Sequence, residues 1–194
     1  MCSRFEFDPN PYSLLNTFGF ENLPVEFTAT EIRPTNQVLV ITNDQALTMG
    51  WGLPVKWSRK FLINARYETL EKRSTFRPLL GNRCLIPATA YFEWRQDGNK
   101  RLKNRIEPLG TKIMTFAGLH SEENFVIITC PPAHVISHIH QRMPLLIDPS
   151  ERTNWINGSL RLNHVVKFLT SPSYCGLDYS EERPLSDQPD LFGH

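Results

Sequence analysis

The residue best placed to do unusual chemistry is Cys2, directly after the initiator methionine. Its side chain is small enough for methionine aminopeptidases, so we expect Met1 to be removed and a 1,2-aminothiol to be left. Reference pKa values are about 7.7–8.0 for an α-amine and about 8.5 for a thiol. The amine can attack an aldehyde to give a Schiff base, which the thiol closes to a five-membered thiazolidine. The alternative is that Cys2 lies in a disordered tail, as terminal residues often do.

Two further residues are candidates for moving protons. Glu93 lies in the run Ala90–Trp94, and on a strand its side chain would share a face with Tyr91. A carboxylate among aromatic side chains is partly desolvated, which raises its pKa and suits proton transfer. His140 is a natural proton shuttle near neutral pH. The alternatives are an exposed glutamate on an amphipathic strand and a histidine that satisfies the end of a helix.

Polar side chains that could hold a ligand accompany these residues. Asn64 could cap a helix predicted over Ala65–Lys72 and still present its amide to a ligand. Arg66 and Arg142 each offer a planar fork for a phosphate or carboxylate.

The sequence indicates neither a disulfide framework nor a metal site. The four cysteines are scattered without a CxxC pair: Cys2, Cys84, Cys130 and Cys175. His134 and His138 are four residues apart, but no HExxH motif or acidic third ligand accompanies them. We therefore predict no metal and no cofactor.

The positive charge is concentrated in the middle of the chain. Net charge is +1, yet residues 56–112 hold 14 of the 21 Lys and Arg residues and 5 of the 20 Asp and Glu residues. A basic surface suits an anionic partner. Trp51 and Trp57 lie among these cations, and aromatics beside basic residues suit single-stranded nucleic acid, whose bases stack. The alternatives are a solvated basic face and aromatic side chains that only pack the core.

The elements that must position these residues are mainly short strands. With 194 residues, 40% of them hydrophobic, the chain is long enough for one domain, which we place over 1–194. Apolar β-type runs predict strands at Val25–Thr30, Val38–Thr42, Ala46–Trp51, Cys84–Ile86, Ala90–Trp94, Ile113–Leu119 and Phe125–Thr129. The pattern favours an α+β fold, with a twisted antiparallel, barrel-like β core flanked by short helices.

Helices, loops and the chain end complete the prediction. Helices are expected at Ala65–Lys72, Ser74–Leu80, Ala133–His140 and Glu151–Asn157, with Ser74 as an N-cap. The polar stretch Arg95–Lys112 reads as a long exposed loop, and the acidic segment from about residue 178 as loose. No apolar run of about 20 residues and no signal peptide is present, so we expect a cytoplasmic protein without a membrane partner.

Seven short motifs occur in a fixed order along the chain. They are MCSRF (1–5), WGL (51–53), NARYET (64–69), RCLIPA (83–88), YFEW (91–94), FAGL (116–119) and HQRMP (140–144). This series, from residue 1 to about 147, closely resembles the SOS response-associated peptidase (SRAP) family, whose members shield abasic sites in single-stranded DNA.

The resemblance implies a role for each matching residue. Cys2 would be the nucleophile that forms a thiazolidine with the abasic aldehyde, and Asn64 would hold the N-terminal residue and the opened sugar. Glu93 would be the general acid/base, and His140 would assist proton transfer during crosslinking and reversal. The same set could cut the amide bond after the leading residue. The side chains implied in DNA binding are Arg4, Arg66, Arg142 and either Trp51 or Trp57.

The sequence departs from the family pattern in places. Ser3 stands where family members usually have Gly, a residue that permits backbone conformations closed to others. Gly52–Trp57 is shortened, Tyr67 replaces a usual Ala, and Thr89-Ala90 replaces a usual Asp-Gly. None of these changes removes a proposed catalytic residue.

Three functions can be distinguished. The leading hypothesis is a DNA damage protein that captures abasic sites covalently as a monomer, associated with the nucleoid if the source is bacterial, with possible lyase and self-processing activity. The second is a thiol peptidase that acts on protein substrates. The third is a non-enzymatic module that binds single-stranded DNA. The first accounts best for an N-terminal Cys together with Asn64, Glu93 and His140.

Overall fold

The computed structural model describes residues 2–8, 18–19, 30–43, 45–157 and 176–182. The strands in these ranges are β1 (Phe5–Glu6), β2 (Gln37–Ile41), β3 (Ala46–Trp51), β4 (Leu53–Val55), β5 (Ser58–Leu62), β6 (Asn64–Arg66), β7 (Arg83–Ala88), β8 (Ala90–Asp97), β9 (Lys100–Pro108), β10 (Met114–His120), β11 (Asn124–Cys130), β12 (Met143–Pro144) and β13 (Leu177–Glu181). The helices are α1 (Arg152–Ile156) and four 3-10 turns at Tyr67–Thr69, Arg77–Leu79, His134–Ile136 and Pro149–Glu151.

Five strands close into a barrel in the order β10-β7-β2-β3-β11, because β10 pairs with both β7 and β11. The pairings are antiparallel except for the parallel contact of β3 with β11. These strands carry nearly continuous runs of apolar side chains, such as the QVLVI of β2, whose last four residues are all buried. Such runs are typical of strands covered on both faces.

The C-terminal half of β11 pairs with two segments outside the barrel, β6 and β12. Beyond the contact with β3, β6 pairs in parallel along the same side of β11, with Ile127 opposite Asn64 and Thr129 opposite Arg66. On the other side of β11, the pairing with β10 ends near Ile127, and β12 pairs with the following residues, with Thr129 opposite Pro144. The residues that precede β12 and those of β6 therefore meet at one end of the barrel.

A second sheet packs beside the barrel and holds the beginning of the chain. Its antiparallel order is β1-β8-β9-β13, and the single residue Thr89 connects β7 of the barrel to β8. β1 pairs with β8 so that Phe5 lies opposite Tyr91. Both side chains are fully buried in the core shared with the barrel.

The predicted α+β class with a barrel-like core is confirmed, as are the strands at 38–42, 46–51, 84–86, 90–94, 113–119 and 125–129, with ends shifted by a few residues. Val25–Thr30 lies outside the described residues apart from Thr30. Among the described helices, none is long and apolar enough to cross a membrane.

The prediction of a loop over Arg95–Lys112 is wrong. β8 continues to Asp97, and β9 returns over Lys100–Pro108 through a two-residue turn in which Gly98 has φ +55°. The charged residues of β9 alternate with side chains buried on the other face, and the pairing outweighs their low strand propensity. The prediction of a loose segment from about residue 178 is also wrong for its first residues, because β13 (Leu177–Glu181) pairs with β9. Residues 183–194 lie outside the described part.

The predicted helices are shorter than expected. Asn64–Arg66 is a strand, and only Tyr67–Thr69 of the expected helix over 65–72 forms a 3-10 turn. Ser74 is not an N-cap, since Phe76 takes that position before the turn at Arg77–Leu79. Ala133–His140 holds a single turn at His134–Ile136, whereas Glu151–Asn157 contains α1. Pairing with β11 supplies hydrogen bonds that a helix over 65–72 would have made internally.

A tight turn before β2 stores backbone strain. The N–H of Asn36 donates to the carbonyl of Arg33 at 3.1 Å, with Pro34 between them. Thr35, at the third position, has φ +76°, a left-handed conformation that a β-branched residue adopts at a cost.

Thr35→Gly is expected to stabilise the chain by about 1 kcal/mol, since relief of the left-handed strain exceeds the entropic cost of glycine. For a chain of this size that is a rise in melting temperature of roughly 2–4 °C. The control is Thr48→Gly inside β3, which should lower the melting temperature because glycine weakens a strand interior. Equal losses in the two variants would contradict the assignment of strain to Thr35.

Candidate active site around Cys2

The N-terminal segment is held in place as an ordered part of the second sheet. The N–H of Phe92 donates to the carbonyl of Arg4 at 2.9 Å, and Phe5 exchanges two backbone hydrogen bonds with Ile32. Continuing the antiparallel register of Phe5 with Tyr91 places Ser3 opposite Glu93. The chain therefore runs along β8 so that Cys2 arrives beside Glu93.

Cys2 itself is fully buried, so the alternative of a disordered tail is wrong. Its thiol lies 3.7 Å from the carbonyl of Arg4. The side-chain amide of Asn64 donates to the carbonyl of Cys2 at 2.7 Å. Asn64 therefore contacts the N-terminal residue, as the family resemblance implies, but from strand β6 and not as a helix cap.

The surroundings of Cys2 keep its thiol protonated. Burial raises the pKa of the Cys2 thiol far above its usual value, and the nearby charge of Glu93 raises it further. Burial penalises the thiolate because a charge loses its hydration in an apolar interior. At neutral pH the sulfur is therefore almost entirely S–H.

Glu93 is only 3% exposed, so the alternative of an ordinary surface glutamate is wrong. Burial raises the pKa of the Glu93 carboxyl above its usual value, whereas the positive charge of a protonated His140 acts in the opposite direction. Nε2 of His140 lies 3.9 Å from Oε2 of Glu93. A carboxyl with a raised pKa beside an imidazole can pass a proton in either direction.

The ring of His140 is oriented by the backbone of Arg142. Its Nδ1 lies 3.0 Å from both the N–H and the carbonyl oxygen of Arg142. In the neutral ring the N–H donates to Nδ1, which leaves the ring proton on Nε2 facing Glu93. In the charged ring Nδ1–H can donate to the carbonyl. Both protonation states are thus accommodated without movement of the ring.

The guanidinium of Arg142, expected to bind phosphate, already has partners in the DNA-free chain. It forms a bidentate pair with Glu68, at 2.6 and 2.9 Å, and donates to the carbonyl of Thr129 at 2.6 Å. The pair passes over the end of β11 and joins the segment after Asn64 to the segment that carries His140. Hydrogen bonding to Arg142 lowers the pKa of the Glu68 carboxyl.

The other two arginines differ in their surroundings. Arg4 stacks over the ring of Trp94 at 5.3 Å and lies 3.9 Å from Glu31. Arg66 is exposed at the end of β6. Arg4 lies in the N-terminal segment with Cys2, and Arg66 lies on β6 with Asn64, which keeps both near the site.

The structure distinguishes the two candidate stacking tryptophans. Trp51 is fully buried, its indole N–H donates to the carbonyl of Ile63 at 2.9 Å, and its ring packs on Phe5. Trp51 cannot offer a ring face to a base, so that prediction is wrong. Trp57 is 71% exposed, in the turn between β4 and β5.

The hairpin of β4 and β5 leaves the barrel at Gly52. This residue has φ +129°, and a Cβ there would lie 2.8 Å from Cβ of Phe61, so only glycine fits. The hairpin carries Trp57 together with three exposed cations, Lys56, Arg59 and Lys60. Within the described ranges none of these three forms an ion pair.

Part of the remaining positive charge is neutralised beside the second sheet. Arg95 pairs with Glu181 at 2.8 Å and Lys103 with Glu182 at 2.8 Å, and Arg105 contacts Glu6. The basic stretch over residues 56–112 is therefore interrupted by internal ion pairs. Besides the three cations of the hairpin, seven exposed cations of this stretch form no ion pair within the described ranges, namely Arg66, Lys72, Arg73, Arg77, Lys100, Arg101 and Lys112.

Two residues near the site were missed by sequence reasoning. Glu68 belongs to the NARYET motif, but its pairing with Arg142 depends on the order of strands around β11. Asn104 lies directly opposite Glu93 on β9 and is 1% exposed, in the segment predicted to be a loop. Alternation of charged residues with Leu102, Asn104 and Ile106 is the signal that could have revealed the strand.

The position of Ser3 requires no unusual backbone. Among the described residues other than glycine, only Glu31 and Thr35 have positive φ. A side chain at position 3 is therefore compatible with the extended course of the N-terminal segment. No group of three His, Cys, Asp or Glu side chains in the described ranges is arranged to hold a metal ion.

Burial of Glu93 predicts a pH-dependent stability. Because its pKa is raised in the folded chain, the contribution of the protonated carboxyl is complete below the unfolded value of about 4.3 and is lost as pH rises through the folded pKa. Glu93→Gln cannot ionise. Its melting temperature relative to wild type should therefore increase between pH 4 and pH 8, as measured by thermal melts. The exposed Glu71→Gln should show no such trend, and a constant difference for Glu93→Gln would contradict the raised pKa of the Glu93 carboxyl.

Comparison with solved structures agrees with this fold. Solved structures of a protein from Bacteroides thetaiotaomicron (22% identical, covering 94% of this chain and 92% of that one) and of a protein from Bordetella bronchiseptica (20% identical, 94% and 100%) superpose with TM-scores of 0.79 and 0.80. At this level of identity they show a shared fold.

Sequence relatives extend the comparison. The abasic site processing protein YoqW of Bacillus subtilis is 29% identical over 81% of this chain and 80% of its own length, and the abasic site processing protein YedK of Escherichia coli is 29% identical over 64% and 63%. The family model for SOS response associated peptidases matches residues 1–179. The chain belongs to the SOS response associated peptidase family.

Proposed function

We propose that this chain captures abasic sites in single-stranded DNA by forming a thiazolidine with Cys2 once Met1 has been removed. The observation that carries the proposal is the convergence on Cys2 of Asn64, at 2.7 Å from its carbonyl, and of the buried Glu93 with His140 beside it. Relatives named abasic site processing proteins support DNA with an abasic site as the substrate.

The first chemical step needs the free α-amine of Cys2. In the chain that still carries Met1 this nitrogen belongs to an amide and is not nucleophilic. After Met1 is lost, the neutral amine attacks the aldehyde carbon of the opened sugar to give a carbinolamine. Glu93, whose pKa is raised by burial, donates in its protonated form the proton with which the hydroxyl leaves as water. The product is an iminium ion on Cys2.

Ring closure completes the crosslink. The sulfur of Cys2 adds to the iminium carbon, and the S–H proton passes to the carboxylate of Glu93 or to His140. One water is lost overall, and no oxidant or cofactor is required. The hydrogen bond from Asn64 to the carbonyl of Cys2 fixes the residue while both of its nucleophiles react at one carbon.

This order of events suits the buried thiol better than peptidase chemistry does. A thiol peptidase attacks with a thiolate, which the surroundings of Cys2 disfavour because burial raises its pKa. If the amine reacts first, no thiolate is needed until the iminium ion has formed. The iminium carbon is then electrophilic enough to react with the thiol. The same acid–base pair would serve crosslink reversal, strand scission of the lyase type, and cleavage of the bond between Met1 and Cys2.

The DNA strand would lie along the face that joins the β4–β5 hairpin to the site. Trp57 supplies a stacking surface, and Lys56, Arg59 and Lys60 neutralise phosphates beside it. Arg4 and Arg66 would hold phosphates next to the lesion. Arg142 would do so only with Glu68 displaced or shared, since Glu68 occupies its fork.

Intact mass spectrometry tests the capture. The purified chain should have lost Met1, and with a single-stranded abasic oligonucleotide it should gain the mass of the oligonucleotide less one water. Cys2→Ala should give no stable adduct, yet borohydride should trap its Schiff base, because the α-amine remains. The matched control is Cys130→Ala, which should crosslink as wild type does.

The outcomes separate the competing functions. An equal stable adduct from Cys2→Ala without borohydride would contradict the thiazolidine. Turnover of a peptide in trans without DNA would favour the thiol peptidase. Binding that gives no adduct and does not distinguish abasic from intact strands would favour the binding module.

A second prediction concerns the hairpin. Trp57→Ala should weaken binding of undamaged single-stranded DNA by about 1–3 kcal/mol, roughly 5- to 150-fold in Kd, because a stacked base is lost. Fluorescence anisotropy at one fixed salt concentration measures this. Leu109→Ala is the control, since Leu109 is 52% exposed, away from the hairpin, and should leave Kd unchanged. An unaltered Kd in Trp57→Ala would exclude the hairpin as a stacking surface.

A further inference from the structure

Asn104 is a buried polar residue that the proposed chemistry does not yet use. It is 1% exposed on β9 and lies directly opposite Glu93 in the antiparallel register with β8. Side chains of residues directly opposite on antiparallel strands point to the same face, with Cβ atoms about 4.5–5.5 Å apart. The preceding pair on this face is Tyr91 with Ile106, both fully buried in the core. Glu93 and Asn104 therefore form the polar end of an otherwise apolar ladder, and Glu93 lies close enough to Cys2 to act on its thiol.

The amide of Asn104 has a defined orientation. Its Nδ2 donates to the carbonyl of Leu102 at 3.0 Å. Because a carbonyl can only accept, the atom that faces Leu102 must be the NH₂ group. Oδ1 is then turned away from that carbonyl, and it is buried without a hydrogen-bond partner. An unsatisfied buried acceptor is costly and calls for a donor.

The neutral carboxyl of Glu93 is a suitable donor on the same face. Among the described residues, the charged groups that act on Glu93 include His140 and Arg101, and both favour its ionised form. Among the neutral groups nearby, the Cys2 thiol is engaged with the carbonyl of Arg4. An amide oxygen does the opposite of the cations, since it can bind only the protonated carboxyl.

We propose that Asn104 is a positioning residue whose Oδ1 accepts a hydrogen bond from the protonated carboxyl of Glu93 and holds that proton ready for the carbinolamine. Asn104 touches neither DNA nor the reacting atoms and acts through Glu93. This inference rests on the proposed role of Glu93 as the acid that expels water.

Infrared spectroscopy of the DNA-free chain at mildly acidic pH tests the hydrogen bond directly. The carbonyl stretch of protonated Glu93 is assigned as the band that Glu93→Gln lacks. In Asn104→Leu, which keeps the side-chain volume and removes the acceptor, this band should move to higher wavenumber. The control is Thr115→Val, because Thr115 is also fully buried on β10 with a hydroxyl that lacks a partner. It should leave the band in place, and an unmoved band in Asn104→Leu would overturn the proposal.

Kinetics test the positioning role. At saturating abasic DNA, Asn104→Leu should form the crosslink roughly 5-fold more slowly, the factor expected from one hydrogen bond. Its Kd for undamaged single-stranded DNA should equal that of wild type. A shifted band with an unchanged crosslinking rate would show that the hydrogen bond exists but does not position the proton, which overturns the role.

A measurement on the wild-type chain keeps the proposal testable if Asn104→Leu does not fold. The ¹³Cγ resonance of Asn104 should follow the titration of Glu93 in wild type and should become independent of that titration in Glu93→Gln. A resonance that does not respond in wild type would overturn the proposal. Because both spectroscopic tests omit DNA, failure of the chain to crosslink would refute the proposed function and leave the Glu93–Asn104 contact to be judged separately.

Discussion

The pairing of the N-terminal segment with β8 is the interaction on which the candidate site depends. A free chain end is usually mobile, since ordering each residue costs about 1–2 kcal/mol of backbone entropy. Here that cost is offset by burial of Phe5 and Phe7, at about 1.5–3 kcal/mol for each fully buried side chain, and by backbone bonds to Ile32 and Phe92. The apolar anchors hold a reactive residue that otherwise would sample many positions.

The same burial sets the protonation states in the site. Burial raises the pKa of both the Cys2 thiol and the Glu93 carboxyl, so the folded chain disfavours two buried negative charges close together. The segments that carry Asn64 and His140 flank the end of β11, and the Glu68–Arg142 pair joins them across that strand. Position and acidity thus follow from a single packing arrangement.

Local patterns predicted the barrel strands, because buried runs such as Val38–Ile41 are evident in the sequence. The ordered motifs, such as the one around Glu93, pointed to residues that the fold brings near Cys2. Local patterns failed where tertiary contacts decide. Pairing with β13 and β8 makes a strand of the polar segment that holds Asn104, and pairing with β11 makes a strand of Asn64–Arg66. The local sequence does not show that Trp51 is buried and Trp57 exposed. Their burial differs because Trp51 ends barrel strand β3 before Gly52, whereas Trp57 lies in the hairpin after it.

The ion pairs between β9 and the chain's acidic segment have a consequence for how long the protein stays on DNA. Cations that are satisfied internally release few counterions on binding, so Arg95, Lys103 and Arg105 add little to the affinity for an intact strand. Dissociation from undamaged DNA is therefore faster than it would be if these three side chains faced phosphates. On the proposed function, bond formation at Cys2 then lengthens the residence time only where the strand carries a lesion.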